Sequence, residues 1–136
     1  MKFTVAVALI IGILAILAWQ KTHSNAVQTV GVNLPVLSAL ASQGEAAFDS
    51  NCATCHGVNA AGTDKGPPLV HDIYNPGHHD DDAFFLAAKL GVRQHHWPYG
   101  NMPPQPQVSE AQLAAIVQYV RELQAVNGII YRPHRM

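Results

Sequence analysis

The chain has 136 residues, 49% of them hydrophobic and 12% charged, with a formal net charge of −1. Setting aside an apolar N-terminal run leaves roughly a hundred residues, which suits one small domain rather than two. The charges are uneven, with nine acids against four bases from Ser38 to Val126, and this acidic excess argues against a nucleic-acid binder, which depends on cationic patches.

Residues 1–22 read as a signal peptide or membrane anchor. Met1 and Lys2 make a positive start, and the run from Phe3 to Trp19 is uncharged and almost wholly apolar, the pattern of an export segment. The run exceeds the about 7–15 residues of a signal-peptide core and reaches the lower end of the roughly 17–25 that span a bilayer. The balance favours an uncleaved hydrophobic helix, residues 3–19, anchoring the chain to the inner membrane with Trp19 at the far interface. Cleavage after Ala26 is the competing outcome, because Ser24 and Ala26 are small residues at the positions a signal peptidase inspects. In both cases the remainder faces an extracytoplasmic space such as the periplasm, where a disulfide would also be stable.

Residues 23–37 are polar and small without a period, and read as a linker. A domain follows at 38–126. Its first helix signal is Ser42-Gln43-Gly44-Glu45, a capping-box pattern, with the helix running to about Asn51. A loop rich in Gly and Pro occupies Gly57 to His79, a length that usually carries function. Asp80, Asp81 and Asp82 favour a helix N-terminus, and the helix through Phe84, Phe85 and Leu90 stops at Gly91. A second loop covers Val92 to Val108. The last helix opens at Ser109-Glu110-Ala111-Gln112, a second capping box, and ends near Asn127-Gly128. Leu113, Ile116, Val117, Val120 and Leu123 mark its buried face. No segment alternates like a strand, so the fold class is all-α. Residues 127–136 form a C-terminal tail.

Cys52-Ala53-Thr54-Cys55-His56 carries the chemistry. The Cys-x-x-Cys-His spacing reads as covalent haem attachment, with the histidine as an axial ligand of the iron. Thiols at i and i+3 reach two vinyl groups on one side of a porphyrin, and the next residue turns its imidazole under the iron. A thioredoxin-type dithiol would accompany a βαβ pattern, which is missing. Zinc would need four ligands at finger-like spacing. A disulfide across two residues would be strained. A large apolar group bonded to the chain also supplies what a domain of this size needs to build a core.

The segment 38–126 resembles class I cytochromes c. Gly44 and Phe48 stand where those proteins place a Gly and an aromatic residue on the helix before the motif. Gly66-Pro67-Pro68-Leu69 matches their Gly-Pro-x-Leu segment, and Ile116 and Tyr119 match an aliphatic and a Tyr on the last helix. The resemblance implies the small cytochrome c fold, helices packed around one covalently attached haem c. It implies that the Pro67 carbonyl accepts a hydrogen bond from the far ring nitrogen of His56, a contact that fixes its tautomer. It also implies that Gly44 lets the first and last helices cross closely, against Ile116 and Tyr119. Met102, in Gly100-Asn101-Met102-Pro103-Pro104, resembles the family's second axial ligand; a thioether there favours the reduced state. His95 or His96 is the alternative ligand, giving a lower potential.

Five histidines, His71, His78, His79, His95 and His96, flank the middle helix. With Asp80 to Asp82 they form a candidate site for copper or another divalent metal; solvation or contact with a haem propionate is the plainer role. Tyr74, Trp97 and Tyr99 are expected to wall the haem crevice. From Ser38 to Val126 nine acids face four bases, so redox partners with a basic docking patch are expected. The resemblance implies a single-haem electron-transfer protein, not an enzyme, whose iron cycles between Fe(II) and Fe(III) with redox partners outside the cytoplasm. Two alternatives stay open: a dedicated cytochrome subunit of a membrane oxidase or dehydrogenase, and a haem or metal sensor with an exchangeable sixth ligand.

Overall fold

The computed structural model describes residues 10–17 and 29–133. Residues 10–17 are helical; the rest of the expected anchor, the Ala26 cleavage point and the start of the expected linker lie outside the described residues. Among the described residues no helix is long and apolar enough to cross a membrane.

The domain is helical. Among the described residues its extended pairing is limited to one isolated antiparallel bridge, Val92 with Met102. Helix α1, Ala39–Asn51, begins earlier than the Ser42 pattern suggests. Its cap is Ser38, whose hydroxyl accepts from the Ala41 N–H at 3.2 Å while its own N–H donates to the Glu122 carboxylate at 3.0 Å. A cap that also meets a tertiary partner wins over one that does not, and Ser42 lies inside the helix. After Cys52 the chain makes a short helix α2, Ala53–His56, ended by Gly57 at φ +78°. Two 3-10 turns follow, Val58–Ala60 and Asp72–Tyr74. Helix α3, Asp81–Leu90, is capped by Asp80 through the Ala83 N–H at 2.9 Å. Helix α4, Glu110–Val126, carries the expected capping box, with Ser109 and Gln112 each satisfying the other's backbone N–H.

Helices α1 and α4 cross at Gly44. A β-carbon there would lie 1.9 Å from the Ala115 carbonyl oxygen and 2.9 Å from the Tyr119 Cβ, so the close approach is to Ala115 and Tyr119 rather than to Ile116 and Tyr119. Phe48 and Tyr119 stack below the crossing with ring centroids 5.6 Å apart, and with Val120 and Leu123 they are almost fully buried. Buried Gln124 is satisfied throughout: its amide donates to the Leu69 and Tyr74 carbonyls, and its Oε1 accepts from Arg121.

Both segments flanking the domain pack on it. Within 29–37, read from sequence as linker, Val30, Val32 and Leu37 lie against the core, and the Val30 N–H donates to Ala61 at 2.9 Å. Asn33 and Asn127 exchange two hydrogen bonds of 2.9 Å. In the tail, Ile129 is buried, and Gly77 sits so close to the Arg132 carbonyl that a β-carbon would be 1.8 Å from it. Short apolar positions with long-range backbone partners, without a period of their own, account for both differences.

Candidate functional site

Helix α1 delivers the two cysteines. The Cys52 N–H still bonds the Phe48 carbonyl at 2.7 Å, and the His56 N–H bonds the Cys52 carbonyl at 2.9 Å, so the five-residue motif is one helical turn hung from the end of α1. Both thiols are free, Cys52 half-buried and Cys55 exposed. Burial, and then the neighbouring Cys55, push the Cys52 thiol up to about 11. Thr63 and Lys65, not singled out from sequence, and Gly66, the first residue of the Gly-Pro-Pro-Leu segment, hold this turn. The Thr63 hydroxyl donates to the Cys55 carbonyl at 2.5 Å and accepts from the Lys65 N–H at 2.9 Å. Gly66 lies where a β-carbon would come within 2.9 Å of the same carbonyl. For Thr63 and Lys65 the loop's small and turn-forming residues were the only signal.

His56 Nδ1 lies 2.9 Å from the Pro67 carbonyl oxygen. A carbonyl can only accept, so Nδ1 carries the proton and Nε2 the lone pair. Burial lowers the imidazole below its ordinary range, and the Pro67 bond opposes this only in part; the ring is neutral at pH 7, the form that binds a metal.

Met102 faces the same cavity as His56. Its backbone exchanges hydrogen bonds of 3.0 and 2.9 Å with Val92, and the Asn101 side chain accepts from the Gln94 N–H at 3.0 Å. Gly91 makes this pairing feasible, since a β-carbon there would be 2.6 Å from the Met102 carbonyl oxygen. The cavity measures about 420 Å³ and is walled mainly by apolar side chains from α1, α3, α4 and the Met102 loop, within the range of cofactor pockets. Cys52, Pro67, Tyr74, Trp97 and Tyr99 also line it. Trp97 Nε1 is buried with no hydrogen bond of acceptable geometry, although its proximity eases ionisation of Tyr74, whose hydroxyl burial pushes up to about 12.

The histidines divide. His78, His79 and His96 bring ring nitrogens within 4.8 Å of one another, and His95 stacks on His96 with centroids 4.2 Å apart. His71 stands apart, edge-on to Trp97, accepting the Ile73 N–H. The three aspartates do not join the group: Asp80 caps α3 and Asp81 pairs with Arg121 at 2.7 Å. Arg121, which lies off the apolar stripe of α4, reaches inward. It donates to the Tyr74 carbonyl at 2.9 Å and the His79 carbonyl at 2.6 Å, and lies 4.8 Å above the Phe84 ring. No local pattern announces such a clamp.

Haem suits these residues on three structural grounds: paired free thiols, an imidazole with its lone-pair nitrogen available, and an apolar cavity between that imidazole and a methionine. The cytochrome c family model matches residues 41–124. The Cbb3-type cytochrome c oxidase subunit CcoP of Rhodobacter capsulatus is 30% identical over 93 residues, covering 65% of this chain and 31% of that subunit. The chain thus aligns with about a third of that relative's length. No solved structure matches.

Proposed function

The chain belongs to the cytochrome c family, and from that premise we propose that it is a single-haem electron carrier working outside the cytoplasm. Cys52 and Cys55 would hold the haem through thioether bonds, and His56 and Met102 would be its axial ligands. Bound haem supplies a one-electron Fe(II)/Fe(III) couple. The chain's own residues keep that couple simple. Pro67 orients His56, the Val92 pairing holds Met102 in place, and the apolar walls limit water, which together tune the potential. The observation that best supports this reading is that His56 and Met102 line one cavity, each held by backbone contacts. Residues 3–19 would tether the carrier to the membrane, and the acidic domain surface would meet a basic patch on its partner.

The spectrum of the oxidised protein tests the ligand set. Sulfur ligation gives a weak long-wavelength charge-transfer band, expected in the wild type and in His95→Ala and His96→Ala, and lost in Met102→Ala. A band that persists in Met102→Ala overturns the assignment. Rapid carbon monoxide binding by the reduced wild type would favour a sensor with an exchangeable sixth position instead. The likeness to an oxidase subunit supports a second reading, a dedicated subunit of a membrane oxidase. Co-purification of the tagged chain with a larger haem enzyme would select it.

A further inference from the structure

Helix α3 separates two loops in sequence and joins them in space, setting His78 and His79 before its first turn against His96 beyond its end. We propose that His78, His79 and His96 form a binding site for a divalent transition-metal ion of the zinc and copper class, distinct from the haem iron and set in the rim of its cavity, which His79 and His96 also line.

The distances suit such an ion. Two nitrogens bound tetrahedrally at about 2.0–2.1 Å lie roughly 3.3–3.4 Å apart, and His78 Nε2 and His96 Nε2 are 3.4 Å apart. The third ligand is oriented in advance. His79 Nδ1 lies 2.7 Å from the Ile73 carbonyl oxygen, so it donates there and leaves Nε2 with the lone pair, the arrangement metal-binding imidazoles adopt. The backbone of His79 is held as well, its N–H donating to Asn75 at 2.9 Å and its carbonyl accepting from Arg121 at 2.6 Å. The rings of His79 and His96 lie 5.2 Å apart, and those of His78 and His96 5.3 Å, so small rotations close the triangle. Three imidazoles without a thiolate or carboxylate select zinc, copper or nickel over magnesium or calcium. His96 is exposed, which leaves an open side for a water or for His95 as fourth ligand.

Zinc chloride titrated calorimetrically into the haem-loaded full chain, in a non-chelating buffer, tests the site. One zinc ion per chain is expected, with affinity lowered at least about tenfold in His79→Gln and further in a His78→Ala/His96→Ala double variant, while His71→Ala keeps the wild-type value. An unchanged haem spectrum in each variant shows that the fold and the iron ligands are kept. Histidine footprinting of the wild type gives the same answer without substitution: zinc should protect His78, His79 and His96 but not His71. Failure of the wild type to bind zinc, equal affinity in the variants, or protection that spares His78, His79 and His96 overturns the site, whereas added protection of His95 identifies the fourth ligand. So does a changed iron spectrum in His79→Gln or the double variant, which would assign a histidine to the haem instead.

Discussion

Gly44 and Gly91 both lack room for a methyl group, but the atoms they face differ. At Gly44 the obstacle is the Ala115 carbonyl in the helix crossing. Alanine there gains about 1 kcal/mol of helix propensity against about 1–3 kcal/mol of overpacking, or more where the obstacle is backbone. Gly44→Ala should therefore lower stability by about 2 kcal/mol in urea denaturation of the haem-loaded protein, with the sulfur band intact. Gly91 sits at φ +76° and ψ 176°, backbone territory essentially reserved for glycine, and faces the Met102 carbonyl. Gly91→Ala should push the Met102 loop outward, weaken the sulfur band and open the reduced iron to carbon monoxide. An intact band in Gly91→Ala would show that Met102 is not positioned through this contact. Cys52, Cys55 and His56 were legible as a candidate site from their short fixed spacing, and Pro67 and Met102 only through the resemblance to class I cytochromes c; the fold sets Cys52, His56, Pro67 and Met102 around one cavity. Thr63 was not legible, and Gly66 and Gly91 were read only as a segment match and a helix stop, because what makes each of them matter is an atom brought near by the fold.

At the scale of the helices, Arg121 ties α4 to α3 and to the loop before it. Its ion pair with Asp81 contributes little, since the Asp81 side chain is 65% exposed. The carbonyls of Tyr74 and His79 matter more, because removing the guanidinium leaves both part-buried acceptors without this donor. Arg121→Ala should cost about 2–4 kcal/mol in urea denaturation, and Arg121→Lys should recover little, because an ammonium cannot reproduce the planar fork. Recovery in the lysine variant would mean that charge, not geometry, fastens the loop. The caps at Asp80 and Ser109 could be read in advance because both are local hydrogen bonds. The start of α1 could not, since Ser38 is favoured by Glu122, 84 residues away. The role of Arg121 was not legible for a related reason: periodicity sorts residues by polarity, whereas this side chain is drawn inward by carbonyls whose path no local pattern encodes.

For the whole molecule, the cavity sets the terms of folding. Its largest fully buried side chains include Phe48, Tyr119, Val120 and Leu123, near the α1–α4 crossing, while the inner side of α3 and the Met102 loop face the cavity. At ~24 cal/mol per Å³, a cavity of about 420 Å³ would cost the haem-free chain up to roughly 10 kcal/mol, an upper bound because the mouth opens to water. Domains of this kind have only about 5–15 kcal/mol in total. The α1–α4 crossing has apolar contacts of its own, whereas α3 meets the core through Ala88, Phe84 and Phe85 and turns much of its remaining inner side, with the Met102 loop, to the cavity. A Cys52→Ala/Cys55→Ala chain made without haem should therefore keep much of its far-ultraviolet helix signal, lose near-ultraviolet dichroism and melt without a cooperative transition. A sharp melt with native near-ultraviolet dichroism would mean that the polypeptide alone closes the cavity, and that the haem is a passenger in the fold rather than part of its core.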